Sequence, residues 1–216
     1  MTFSGIPFAA LDFYEDLEAD NSKPFWLAHK HIYDEQVKVP LEALASELTP
    51  EFGPAKFFRP YRDVRFARDK TPYKDHQGLY FAESRRYLHI SAAGLYVSGG
   101  MFHLESDQVQ RYRRSVDEPL VGEALVKALK AAERGKLQIG GEQLTRIPAG
   151  FARDHPREAE LRRKSVTASY EFGSPEWLKT ARAKSEIVKV WRIMQPLIDW
   201  LDKHVGPAET RLDQRR

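Results

Sequence analysis

Apolar residues recur at two different periods along this chain, and the change of period divides it into helical ends and a pleated middle. Phe8 to Ala19 places Phe8, Leu11 and Leu17 among Asp12 and Glu15, which predicts a first helix, and Asp20-Asn21-Ser22 interrupts it with capping chemistry. A second helix is expected from Lys23 or Pro24. Trp26, His29, Tyr33, Gln36 or Val37, Leu41, Leu44 and Leu48 follow at close to helical spacing, with Pro40 expected to kink or split the run. Thr49-Pro50-Glu51-Phe52-Gly53-Pro54 is expected to end it.

Beyond that stop the period becomes two. Phe58, Val64 and Phe66 share one parity and Arg59, Tyr61, Asp63 and Arg65 the other, so an extended segment would sort apolar from polar side chains, with Pro60 at an edge or bulge. Leu79 to Phe81, Tyr87 to Ala92 and Leu95 to Ser98 read as short strands joined as an antiparallel meander. Ser106 is placed to cap a helix through Gln110 and Arg114, Pro119 opens another through Val126 and Leu129, and Gly135 stops it. Leu137 to Leu144 reads as a hairpin turning at Gly140-Gly141, and Val166 to Phe172 as a further strand. A closing helix is expected from Ser174 as cap and Pro175 as first helical residue, with Trp177, Ala181, Val188, Trp191, Met194, Ile198 and Leu201 facing inward, a bend at Pro196, and a stop at Gly206-Pro207. The pattern predicts an α+β fold: a single domain over 1–216 with a central, mainly antiparallel sheet flanked by N-terminal and C-terminal helices, and a disordered tail over 208–216.

Composition narrows the chemistry. With 216 residues, 42% hydrophobic and 12% aromatic, the chain suits one sizeable core. Its 34 Lys and Arg are nearly balanced by 31 Asp and Glu, so anion binding must come from local clustering rather than from net charge. Cysteine is absent, which removes disulfides, thiolate metal sites and cysteine nucleophiles. Neither a signal-peptide pattern nor a membrane-length apolar run occurs, which predicts a cytoplasmic protein with no membrane partner.

The densest chemistry lies between Arg59 and Lys74. Arg59, Arg62 and Arg65 present planar donor forks, Lys70 and Lys74 are point cations, and Tyr61 and Tyr73 are placed to orient a ligand. Asp63 and Asp69 are expected to orient or pair these cations, and an electrostatic binding site is more natural here than a proton-transfer site. The same residues equally make a structural ladder of ion pairs. His89, in the strand Tyr87 to Ser91, is the candidate acid or base, expected to face Asp63 and Arg65 across a sheet. His103 is read as following a Gly99-Gly100 turn, and Asp154-His155-Pro156 as a helix start capped by Asp154. His29 and His31 leave their helix in different directions and no ligand-spaced motif occurs, so neither metal nor cofactor is expected. A second basic group, Arg111, Arg113, Arg114, Arg157, Arg162, Arg163 and Lys164, is diluted by Asp117, Glu118, Glu158 and Glu160, which makes nucleic acid a disfavoured partner.

Asn21, Trp26, Lys30, Tyr33 and Pro40, then Tyr61-Arg62-Asp63-Val64-Arg65-Phe66 and Asp69-Lys70-Thr71-Pro72-Tyr73-Lys74, resemble the signature of domain of unknown function 2461. The resemblance extends through Leu95 to Gly100, Pro148 to Phe151 and Asp154 to Pro156. Ser22 stands where a second Asn is common, and the aromatic pair reads Phe25-Trp26 rather than Trp-Phe. This resemblance implies a shared fold and a shared site, and supplies no reaction. The expected function is recognition of a small phosphate- or carboxylate-bearing ligand by the 59–74 motif. The alternatives are a nucleic-acid or protein-binding module on the same cations, and a purely structural ion-pair network. Oligomeric state and turnover are not fixed by the sequence.

Overall fold

The computed structural model describes residues 2–65 and 68–209, so Phe66 and the part of the expected tail from 210 to 216 lie outside the described residues. The protein is α+β. Among the described residues six strands, β1 (Ala55–Phe57), β2 (His76–Phe81), β3 (Arg86–Ser91), β4 (Gly94–Met101), β5 (Gln138–Gly140) and β6 (Val166–Gly173), form one sheet in the order β1-β2-β3-β4-β6-β5. The chain divides into two compact units, residues 2–97 with 171–189, and residues 98–170 with 190–209.

In the first unit, α1 (Ala9–Ala19) buries Leu11, Phe13, Tyr14 and Leu17, and α2 (Lys23–Ile32) starts where the Ser22 hydroxyl accepts from the Phe25 amide. Pro40, the second residue of the helix that follows, does not end it. A π turn over Tyr33–Lys38 precedes it, and α3 (Val39–Phe52) continues directly. The expected stop over Thr49 to Pro54 is found: α3 runs through Pro50 and ends at Gly53, whose φ of +81° suits glycine. One missing N–H in a last turn costs little against the burial of Phe52.

The meander is present, with β2 and β3 antiparallel in the register His76↔Ser91, Gly78↔His89 and Tyr80↔Tyr87. On β3 the buried residues Arg86, Leu88 and Ile90 alternate with half-buried Tyr87, His89 and Ser91, the period read from the sequence. The extended segment expected from Phe58 to Phe66 does not form. β1 stops at Phe57, and Pro60 breaks the ladder because it has no N–H to give.

In the second unit, α4 (Ser106–Asp117) is capped by Glu105, whose amide donates to the Gln108 side chain, so Ser106 is the first helical residue and not the cap. α5 (Pro119–Arg134) begins and ends as expected, at Pro119 and Gly135. The Gly140-Gly141 hairpin is replaced by another pairing, β5 with β6 through Ile139↔Ala168. Gly99 and Gly100 lie inside β4 and make no turn. Arg157, not Asp154, precedes α6 (Glu158–Leu161), where His155 Nδ1 accepts from the Arg157 amide.

The closing helix is three pieces: a 3₁₀ turn at Glu176–Lys179, α7 (Arg182–Ile193) and α8 (Gln195–His204). Thr180 is extended between the first two, which leaves Ala181 exposed and Trp177 half-buried, whereas Trp191, Met194, Ile198 and Leu201 are buried as the spacing requires. The break at Met194 falls two residues before Pro196. Among the described residues no helix is long and apolar enough to cross a membrane.

Candidate functional site

The 58–75 segment is an irregular loop tied down at several points. The Phe58 amide donates to Gly78 O at 3.0 Å, Arg62 N to Pro72 O at 2.8 Å, and Lys74 N to Pro60 O at 2.7 Å, around an isolated antiparallel bridge between Tyr61 and Tyr73. Asn21 clamps the returning limb from both sides, with Nδ2 donating to Tyr73 O and Oδ1 accepting from Tyr73 N. Tyr73 is buried, with its ring stacked on Trp26 at 4.4 Å, whereas Tyr61 lies across the same indole at 6.0 Å and stays exposed. Buried Gln77 supports the entry: its amide donates to Phe58 O at 2.8 Å and its carbonyl accepts from the Tyr33 hydroxyl at 2.6 Å.

The expected cations divide by what they touch. Arg62 donates to Asp69 and Thr71 and lies 3.5 Å from Asp75, while Asp69 also accepts from the Thr71 amide at 2.9 Å. Arg65 grips Asp63 with two bonds, 2.9 and 2.7 Å, and Lys70 donates to Val64 O at 2.9 Å. The Arg65 hydrogen bonds hold the Asp63 carboxyl below its ordinary range, and bonds from Thr71 do the same for Asp69. Arg62, Arg65 and Lys70 therefore hold the loop to itself.

Arg59 and Lys74 are different. Among the described residues neither has a carboxylate within pairing distance, and the same is true of Lys56, which the sequence reading passed over. The Lys74 ammonium lies 5.3 Å from the centroid of the Phe58 ring and that of Lys56 5.9 Å from it. Burial, and then the charges of Arg59 and Arg62, depress the Lys74 pKa.

His89 does not face Asp63 and Arg65, which are paired with each other in the loop. Its ring stacks on Tyr96 at 4.7 Å and lies 4.8 Å from the ring of His76, with Tyr87 edge-on at 5.6 Å. His76 Nδ1 is 2.7 Å from Asp75 Oδ1. Burial would raise the Asp75 pKa, but the His76 bond and the charges of His76 and Arg62 outweigh it and hold the carboxyl low. Burial first, and then the neighbouring His76, push the His89 pKa down to about 4. Burial also pushes Tyr87 up to about 12. Gly78 makes room for this face: a Cβ there would stand 2.6 Å from the Tyr87 hydroxyl and 3.1 Å from Phe58. The Asp75–His76 pair escaped the sequence reading because β2 was begun at Leu79. Parity with His89 across the register, once β2 starts at His76, was the signal that would have found it.

Three arginines of the second basic group are spent on carbonyls of their own unit, and Lys164 pairs with Glu142. Arg111 donates to Val205 O and Pro207 O, Arg157 to Val116 O and Asp117 O, and Arg162 to Leu144 O. His103 is exposed beside Glu105, and His29 stacks on Phe25 at 4.1 Å. Among the described residues no group of three or more His, Asp or Glu side chains is placed to hold a metal.

Replacing Arg65 by Met tests the structural share of the loop. Because the Asp63 side chain is 45% exposed and not buried, its carboxylate is left in water and not stranded, so the melting temperature is expected to stay within error of wild type. A drop of several degrees in a thermal melt would show that this pair holds the loop against unfolding.

No curated protein and no solved structure matches the chain. A family model described as a conserved hypothetical protein does match, over residues 9–200, a span that includes the clamp at Asn21, the whole 59–74 loop and the His76–His89 face. The chain belongs to this family, DUF2461.

Proposed function

We propose that the protein recognises a small anion bearing a phosphate or carboxylate, at the three cations that surround Phe58. The observation that carries this reading is the missing counter-ion: Lys56, Arg59 and Lys74 have no carboxylate partner among the described residues, while Arg62 and Arg65 each have one and Lys70 donates to a carbonyl. Like charges held together without compensation repel, and an arriving anion relieves that repulsion. Exposed Tyr61 is available as an orienter, whereas Tyr73 is committed to the stack on Trp26. A polyanion is the less favoured ligand, because Arg111, Arg157 and Arg162 of the second unit bond their own backbone.

Inorganic phosphate, sulfate and succinate titrated by calorimetry and by thermal shift test the reading. Wild type is expected to bind at least one of them and to melt higher in its presence. Lys74→Met is expected to lose ten- to a hundred-fold in affinity, about the loss of one charge-assisted hydrogen bond, while melting no lower than wild type without the anion. Equal anion affinity in wild type and Lys74→Met, or no binding to either, overturns it.

A further inference from the structure

We infer that His76 and His89 are an acid–base pair that hydrolyses a phosphoric ester whose phosphate is held by Lys56, Arg59 and Lys74. This rests on the anion-binding reading above and adds a reaction to it. Three observations meet here. The two rings stand side by side, 4.8 Å between centroids, on the half-buried face of β2 and β3. The cation ring adjoins that face, since Lys74 is two residues before His76, and Phe58 lies 6.2 Å from Tyr87, which in turn lies 5.6 Å from His89. The two imidazoles also sit in opposed environments.

Asp75 engages His76 Nδ1 at 2.7 Å, so a proton carried by His76 is ion-paired, and among the described residues Nε2 has no protein partner. His89 has Tyr87, Tyr96 and His76 around it, and its Nδ1 is buried without a hydrogen-bond partner, so its chemistry falls to Nε2. An imidazole engaged by a carboxylate beside one enclosed by rings with no carboxylate partner is the arrangement that assigns acid and base. The depressed pKa of His89 agrees with the base role. On the same face Ser91 lies directly across the register from His76 and Tyr80 across from Tyr87, and Arg62 lies behind Asp75.

The step balances with water alone. His89 Nε2 takes one proton from a water whose oxygen attacks phosphorus; the bond from phosphorus to the ester oxygen breaks; and His76 Nε2 delivers its proton to the departing oxygen. Phosphate and an alcohol leave, and solvent returns each histidine to its starting state. Asp75 does not touch the ester and is a positioning residue.

Phosphate release from phenyl phosphate and from p-nitrophenyl phosphate is measured across pH 4 to 9. Phenolate needs a proton in order to leave and p-nitrophenolate does not. His76→Gln is therefore expected to lower phenyl phosphate turnover by about 10²–10³-fold, the range of general acid catalysis, and p-nitrophenyl phosphate turnover by much less. Asp75→Asn is expected to show the same leaving-group dependence in weaker form. His89→Gln is expected to remove the acidic limb of the pH–rate profile, and Lys74→Met to act on KM more than on kcat. His76→Asn serves if His76→Gln does not fold. Equal losses on both esters, or no release above that of the His76→Gln, His89→Gln double variant, overturn the inference. Inorganic phosphate binding measured alongside separates the two readings: binding without hydrolysis sinks this one and leaves the anion site standing, and no binding sinks both.

Discussion

Replacing Trp191 by alanine is expected to destabilise the protein by about 3–5 kcal/mol, the largest single loss in this set. Trp191 is fully buried in the stripe formed by Ala183, Ile187, Val190 and Trp191 of α7, which continues through Met194 into Leu197, Ile198 and Leu201 of α8. The indole is too large for its surroundings to close over, so lost transfer energy and residual cavity both count. Trp177→Ala is the control. That ring is only half-buried on the 3₁₀ turn, edge-on to Phe172 at 5.2 Å, and its loss is expected to be well below that of Trp191. Urea denaturation with unchanged m-values measures both. A Trp191→Ala cost under about 1 kcal/mol would remove the α7 stripe from the core, since fully buried tryptophans cost several times that.

The second expected result concerns acid. His89 is neutral in the folded protein down to about pH 4, whereas in the unfolded chain it protonates near its ordinary value of 6.5. Between those values the unfolded state binds the additional proton, so folding stability rises with pH through this window and is level above it. With 1.36 kcal/mol per pH unit, the loss on going from pH 7 to pH 4 is about 3 kcal/mol. The carboxylates at Asp63, Asp69 and Asp75, held low in the fold, add their own loss further into acid. The difference between wild type and His89→Phe isolates the histidine: the variant is expected to lose about 3 kcal/mol less over the same interval. Parallel stability curves for the two proteins would show that His89 is not held neutral by its surroundings.

The architecture was readable wherever one physical period governs a segment. Tyr87 to Ser91 alternates, as Val166 to Ser169 does, because one face of each is covered, and Pro119 and Gly135 mark α5 through local backbone chemistry that needs no partner. Reading failed where an alternation had nothing to pair with. Arg59 to Arg65 alternates as a strand does, but Pro60 withholds a donor and the Tyr61 amide region meets the returning limb at one bridge only. Gly140-Gly141 has hairpin chemistry, yet β6 offers β5 a longer partner than the residues beyond the turn. The cation motif was found because charge density is visible in one dimension, but which cations are satisfied depends on Asp75 and Thr71, whose positions follow from the loop's path. His76 was missed because Asp75-His76-Gln77-Gly78 lacks the β-branched residues that advertise a strand.

The π turn at Tyr33–Lys38 gives the first unit a dependence on chain length. An α-helix advances 100° per residue, and a π turn accommodates one residue more than an α turn over the same stretch, so the helix on its two sides is held out of phase. That phase sends Tyr33 inward to the Gln77 side chain, and Gln77 in turn holds the carbonyl of Phe58, the residue around which Lys56 and Lys74 gather. Deleting exposed Glu35 would break no ion pair among the described residues, yet it would let the helix relax to α and swing everything before it by about 100°. The Tyr33 hydroxyl would leave Gln77, and the base under the cations would lose its brace. Along this stretch the number of residues matters more than their identity, so a gap here is a more severe change than a substitution.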